Sequence, residues 1–139
     1  MRFSVTLGIF GLIVALASAF VYADVKWTHD SLRTVTVDEL AALRTTGKTI
    51  VVDANGAETR QKYGGIPGAL LLTHYADYDV AKQLPHDRSK KLVFYCANEQ
   101  CMASHKAAQR AVDAGYADVS VLPAGIMGWK RAGQPTGPS

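Results

Sequence analysis

Four consecutive apolar residues, Leu92-Val93-Phe94-Tyr95, stop at a cysteine, and that stop constrains the chain more than any other feature. A strand with one wet face alternates apolar and polar residues. An unbroken run suits a strand covered on both faces, as in a parallel sheet with helices on either side. A short loop, Ala97-Asn98-Glu99-Gln100-Cys101-Met102, comes after Cys96. Ala103 to Ala114 then reads as a helix, with Ala107, Ala108, Ala111 and Val112 available for a buried stripe. Cys96 therefore stands where a central strand gives way to a helix. Backbone N–H groups of the loop and first helical turn can converge there and hold an anion. A thiol so placed is favoured as thiolate, the form that attacks electrophiles.

The rest of the chain alternates in the same way. Arg33-Thr34-Val35 is a short first strand. Thr36-Val37-Asp38-Glu39 is a capping-box pattern, and the helix it opens carries Val37, Leu40, Ala41 and Leu43 and ends near Gly47. Thr49 to Ala54 is a second buried strand rich in β-branched residues. Asn55-Gly56 signals a turn, Ala57 to Tyr63 a short helix, and Gly64-Gly65-Ile66-Pro67-Gly68 a loop before a third strand, Ala69 to Leu72. His74 to Lys91 is largely polar, and Leu84-Pro85 closes any helix there. Val119 to Leu122 is the fifth strand, and Gly125 to Arg131 a last short helix ended by Gly133. Strands alternating with helical segments predict a three-layer α/β/α sandwich on a mostly parallel five-stranded sheet.

At 139 residues there is room for one domain, with enough chain for a core that needs no metal or disulfide staples. Residues 1–23 hold one charged side chain, Arg2, then a mostly apolar run from Val5 to Leu16 and then small residues. That is the pattern of a signal peptide, cleaved after Ala23 or Ala19; an uncleaved membrane anchor is the alternative. Export to the periplasm or beyond is the expectation. Residues 24–32 form a lead-in whose Trp27 packs on the domain edge, and 136–139 form a flexible tail. The net charge is +3, one less once Arg2 is removed, and no basic patch interleaved with aromatics appears. Nucleic acid is excluded as a partner on that ground. A membrane is involved only through the first segment, if it is retained.

The strand–Cys–loop–helix unit and the chain beyond it resemble the rhodanese (sulfurtransferase) domain family. The matching residues are Val93 to Cys96, Ser104, Ala107-Ala108, Gly115-Tyr116, Val119, Val121-Leu122, Gly125-Ile126, Trp129 and Ala132 to Pro135. Upstream, Val51-Val52-Asp53 and Gly64 to Ala69 resemble two earlier motifs, so the likeness spans residues 33–135. The resemblance implies the rhodanese-like fold and a sulfurtransferase in which Cys96 attacks a sulfane sulfur donor. Cys96 then carries the sulfur as a persulfide and passes it to a thiol or cyanide. It implies no cofactor. The alternative is a non-catalytic or redox-responsive module with a Cys96–Cys101 disulfide, since a lone pair of thiols in an oxidising compartment is commonly bonded.

Four departures from the family pattern bear on chemistry. The loop between Cys96 and Ala107 is about two residues longer than usual, which places Cys101 in the extension or at the helix start. There Cys101 is a resolving thiol or a disulfide partner, with fewer unpaired N–H donors in front of it than Cys96 has. The usual arginine two positions after the second-strand aspartate is Asn55, and the usual histidine of the glycine-rich motif is Gly65. The loop carries Glu99 and no cation, which disfavours thiosulfate as donor, with His105 and Lys106 the nearest possible cations. A phosphatase needs Cys, five residues and Arg to clamp phosphate, and Met102 stands at that position. Cys96, Cys101 and His105 have the chemistry of a soft-metal site, but no metal is assigned. Asp53 and Ser104 are supporting residues, Asp53 by bonding loop N–H groups, and Trp129 fills the sheet edge.

Overall fold

The computed structural model describes residues 32–138. The segments read as signal peptide and anchor, and Trp27 of the lead-in, lie outside the described residues. Five strands alternate with five helices: β1 Arg33–Thr34, α1 Val37–Thr45, β2 Thr49–Asp53, α2 Ala57–Tyr63, β3 Leu70–Leu71, α3 Val80–Gln83, β4 Lys91–Tyr95, α4 Ala103–Asp113, β5 Asp118–Leu122 and α5 Gly125–Arg131. The sheet order is β1-β5-β4-β2-β3 and every strand pair is parallel. Helices on both faces make the three layers.

The uninterrupted apolar run is the middle of this sandwich. Leu92, Val93, Phe94 and Tyr95 are each 0% exposed. Because side chains alternate along a strand, Leu92 and Phe94 join Val52, Ala107, Ala108 and Ala111 on the α4 face. Val93 and Tyr95 join Leu40, Ile126 and Trp129 on the opposite face. Each large apolar side chain buried in this way contributes about 1.5–3 kcal/mol.

The capping box forms as the sequence predicts: Glu39 N–H donates to Thr36 Oγ1 at 3.2 Å, and Thr36 N–H to Glu39 Oε2 at 2.7 Å. One local feature agrees with expectation, a helix closed at Leu84-Pro85, and one differs. The polar stretch after β3 contains a one-turn helix, α3, capped by the Asp79 side chain accepting from Lys82 N–H. The tail expected to be flexible is tied down at Gly137, which exchanges two backbone hydrogen bonds of 3.0 Å with Gly65. Trp129 holds the approach to that bridge, its Nε1–H donating to Pro135 O at 2.8 Å.

Candidate active site at the carboxyl end of strand β4

Parallel sheets present their sites beyond the carboxyl ends of the strands, and here Cys96 is the first residue after β4. Two backbone hydrogen bonds fix the chain at that point. Ile126 N–H donates to Cys96 O at 2.9 Å and Met127 N–H to Ala97 O at 3.0 Å, so the first turn of α5 clamps the start of the loop. Gly125 makes the close approach possible. It has φ +60°, and a Cβ there would lie 2.5 Å from the Ala97 carbonyl group, so only glycine satisfies both demands. Farther along, Asn98 Oδ1 accepts from Gln100 N–H at 3.1 Å and Cys101 N–H donates to Asn98 O at 3.1 Å. That turn folds Cys101 back towards Cys96.

Both cysteines are free. The Cys96 thiol has two acceptors on one neighbour: it donates to Cys101 O at 3.1 Å and hydrogen-bonds the Cys101 thiol. Ser104 Oγ lies 3.3 Å from Cys96 Sγ. Cys96 is 1% exposed, and Cys101 is half-buried. Burial pushes the Cys96 thiol up, the bond to Cys101 adds to this, and the Ser104 hydroxyl and N–H oppose it. For Cys101 burial acts in the same sense, but hydrogen bonds from the Cys96 thiol and from Ala97 N–H and Ala103 N–H outweigh it and lower the pKa. The donors have a structural origin. Helix α4 begins at Ala103 with no side-chain cap, so its first N–H groups, unpaired within the helix, turn to the two sulfurs.

On the other side of the same strand end lies a closed polar network. Asp53, 0% exposed, pairs in register with Tyr95 across β2 and β4. Its Oδ2 accepts from the Tyr95 hydroxyl at 2.7 Å and its Oδ1 from Asn55 N–H at 2.8 Å. The Tyr95 hydroxyl accepts from Ile66 N–H at 3.0 Å. Burial and the Asp53 charge raise the Tyr95 pKa, which keeps the phenol a donor. Arg60 Nε lies 3.5 Å from Asp53 Oδ2, and Arg60 Nη2 donates to the carbonyls of Asp53 and Leu72 at 3.1 and 2.9 Å. Arg60 thus brings a guanidinium to Asp53 that Asn55 does not.

The rhodanese-like domain model matches residues 36–132, most of the chain. The chain belongs to the rhodanese-like domain family. Solved structures agree. A protein of unknown function from Rhodopseudomonas palustris, described as a possible tyrosine phosphatase, is 28% identical with TM-score 0.61 over 76% of this chain and 85% of its own. A rhodanese-like domain from Anabaena is 22% identical with TM-score 0.64 over 78% and 81%. Thiosulfate sulfurtransferase from Pseudomonas aeruginosa is 24% identical with TM-score 0.62 over 76% of this chain but only 20% of its own. The last two likenesses establish the fold. No curated protein sequence matches.

Within this rhodanese-like domain the sequence-predicted residues fall into two groups. Cys96, Cys101, Ser104 and Ala97 come together around the sulfurs, and Asn98 shapes the turn between them. Asn98 Nδ2 also lies 3.6 Å from Met127 Sδ. Glu99 and Gln100 are exposed, and Met102 is 54% exposed. His105 makes no hydrogen bond to either thiol, and its buried Nδ1 has no partner among the described residues. No group of three or more His, Cys, Asp or Glu side chains is placed for a metal among the described residues. Asp53 bonds the loop N–H of Asn55, in the structural manner expected of it.

One expectation needs correction. The thiol with the lowered pKa is Cys101 rather than Cys96. Cys101 precedes α4, so it is not entering the helix, and Ala97 and Ala103 both present N–H groups to its sulfur. Sequence reasoning also missed Gly125, Ile126 and Met127 as the clamp on the loop, although Gly125-Ile126 stands among the family residues. The Tyr95 hydroxyl was a readable signal: a buried phenol needs a partner, and Asp53 ends the neighbouring strand.

Proposed function

We propose that this protein is a sulfurtransferase whose β4–α4 loop takes a sulfane sulfur from a small donor as a cysteine persulfide and passes it to a thiophilic acceptor, a thiol or cyanide. The observation that carries the proposal is the dithiol itself. Two free thiols, Cys96 directly after the central strand and Cys101 in the loop it enters, lie together there, with N–H groups of Ala97, Ala103 and Ser104 lowering the cost of their thiolates. Such donors favour thiolate over thiol, and the thiolate is the attacking species. Family membership supports the same chemistry, and the resemblance assigns Cys96 a part in it. Export is included in the proposal, since an oxidising compartment would make the redox state of the pair matter.

The experiment is turnover of glutathione persulfide with cyanide, followed as thiocyanate. The reduced wild-type protein is expected to accelerate it, and the double variant Cys96→Ser/Cys101→Ser to leave only the uncatalysed rate. Equal rates for the two proteins would reject the proposal.

The second reading, a redox-responsive module with a Cys96–Cys101 disulfide, is favoured by the contact between the thiols. A thiol count on protein purified without reductant separates the two. Free thiols are expected of the transferase, and none of the module.

A further inference from the structure

The two thiols differ in access as well as in bonding. Cys96 is 1% exposed, and its thiol donates to Cys101 O at 3.1 Å. Cys101 is part-exposed at the outer end of the loop, next to exposed Met102 and Gln100, and its sulfur faces the N–H groups of Ala97 and Ala103. A donor arriving from solvent therefore meets Cys101 first. Cys96 Sγ lies 3.1 Å from Cys101 O and 3.3 Å from Ser104 Oγ, which holds it at the residue whose sulfur it would attack.

We propose that Cys101 is the thiol that takes the sulfane sulfur, and that Cys96 then attacks Cys101 Sγ, closing a disulfide and releasing the sulfur as hydrogen sulfide. This rests on the loop's taking sulfane sulfur at all. In the first step the Cys101 thiolate attacks the outer sulfur of a persulfide RS–SH. A Cys101 S–S bond forms, the donor S–S bond breaks, and RS⁻ leaves to be protonated as RSH. In the second, Cys96 attacks Cys101 Sγ. The Cys96–Cys101 bond forms, the bond to the outer sulfur breaks, and HS⁻ leaves with the Cys96 proton as H₂S. Two thiols are oxidised to one disulfide and the sulfane sulfur is reduced to sulfide, so the electrons balance without another oxidant. A second dithiol, exchanging with the disulfide, restores the resting state.

Cys96 is a poor thiolate, which slows the second step and leaves an interval in which an acceptor thiol can take the outer sulfur from Cys101. The sulfur is passed on when an acceptor arrives and discharged when none does. The fate of the sulfur thus depends on acceptor supply.

The test uses the reduced protein, one equivalent of glutathione persulfide, no acceptor and no oxygen. The wild-type protein should release about one sulfide per chain and end with no free thiol and a mass about 2 Da below the dithiol form. Cys96→Ser should release no sulfide and hold about +32 Da on Cys101, found by peptide mapping. Cys101→Ser should load at least about tenfold more slowly, because a buried, protonated thiol is left to attack. Should either variant fail to fold, the wild-type stoichiometry and the order in which its two thiols are alkylated by iodoacetamide, Cys101 first, still decide. A wild-type protein that keeps a stable added sulfur on Cys96 and releases no sulfide overturns this inference while leaving sulfur transfer intact. A wild-type protein that takes up no sulfur overturns both.

Discussion

Tyr95 and Cys96 are neighbours in the chain, yet the two sides of the β4 terminus they occupy are built in opposite ways. On the Tyr95 side the phenol and the carboxylate are both answered, although Asn55 Nδ2 and Arg60 Nε have no hydrogen-bond partner among the described residues. The hydroxyl donates to Asp53 and accepts from Ile66 N–H, and Asp53 also holds Asn55 N–H. On the Cys96 side the sulfurs accept N–H groups and the Cys96 thiol donates towards Cys101, but no ion pair or covalent bond fixes them. The contrast teaches a division of labour. The closed network holds the ends of β2 and β4 and the glycine-rich loop in register, which lets the open side keep reactive groups in place without locking them. Satisfied hydrogen bonds such as those of Tyr95 and Asp53 rigidify a buried network, and chemistry needs groups that are free to react.

If the two sides are separate, breaking the closed one should cost stability and spare reactivity. Asp53→Ala removes the acceptor of the Tyr95 hydroxyl and Asn55 N–H and the counter-charge of the part-buried Arg60 guanidinium, and is expected to destabilise by about 3–5 kcal/mol. Tyr95→Phe leaves Ile66 N–H without a partner and Asp53 Oδ2 with only the Arg60 ion pair, and should cost about 1–3 kcal/mol. Urea melts measure both. In folded Tyr95→Phe the ratio of Cys101 to Cys96 alkylation should match the wild type, and a collapse of that ratio would show that the sides are coupled.

Alkylation against pH sharpens the open side. Cys101 is lowered, so its thiolate persists to more acidic pH, and its rate should reach half-maximum below the ordinary thiol value of about 8.5. Cys96 is raised, so its half-maximum should lie above that value. Coincident profiles measured by site-resolved mass spectrometry would remove the asymmetry on which the order of attack depends.

The smallest effect is electrostatic. Glu99 is exposed on the loop, and a solvated charge there acts weakly on an approaching thiosulfate dianion. Glu99→Arg is expected to raise thiosulfate use about two- to fivefold with little change for a neutral persulfide donor. An equal change for both donors would point to loop shape rather than charge.

Much of the fold was legible because the signals were local. The run from Leu92 to Tyr95 declared a strand covered on both faces, and Thr36 with Glu39 declared a helix start. The position of Cys96 at the strand end came from the same run. What could not be read is which N–H groups point at which sulfur. That depends on the Asn98 turn, on the absence of a side-chain cap on α4 and on the approach of Gly125 to Ala97, three features set by packing rather than by residue type. The sequence therefore found both cysteines but misjudged the donors in front of Cys101. The tail was misread for a similar reason: Gly137 is ordered by a bridge to Gly65, which is far away in the chain.

The most direct test is to trap the first sulfur adduct. Reduced wild-type protein is pulsed with less than one equivalent of glutathione persulfide, quenched within the first turnover with excess alkylating reagent and mapped by peptide mass. The added sulfur is expected on the peptide bearing Cys101. Its appearance on Cys96 alone would reverse the order of the thiols, and its absence from both would contradict sulfur transfer at this loop.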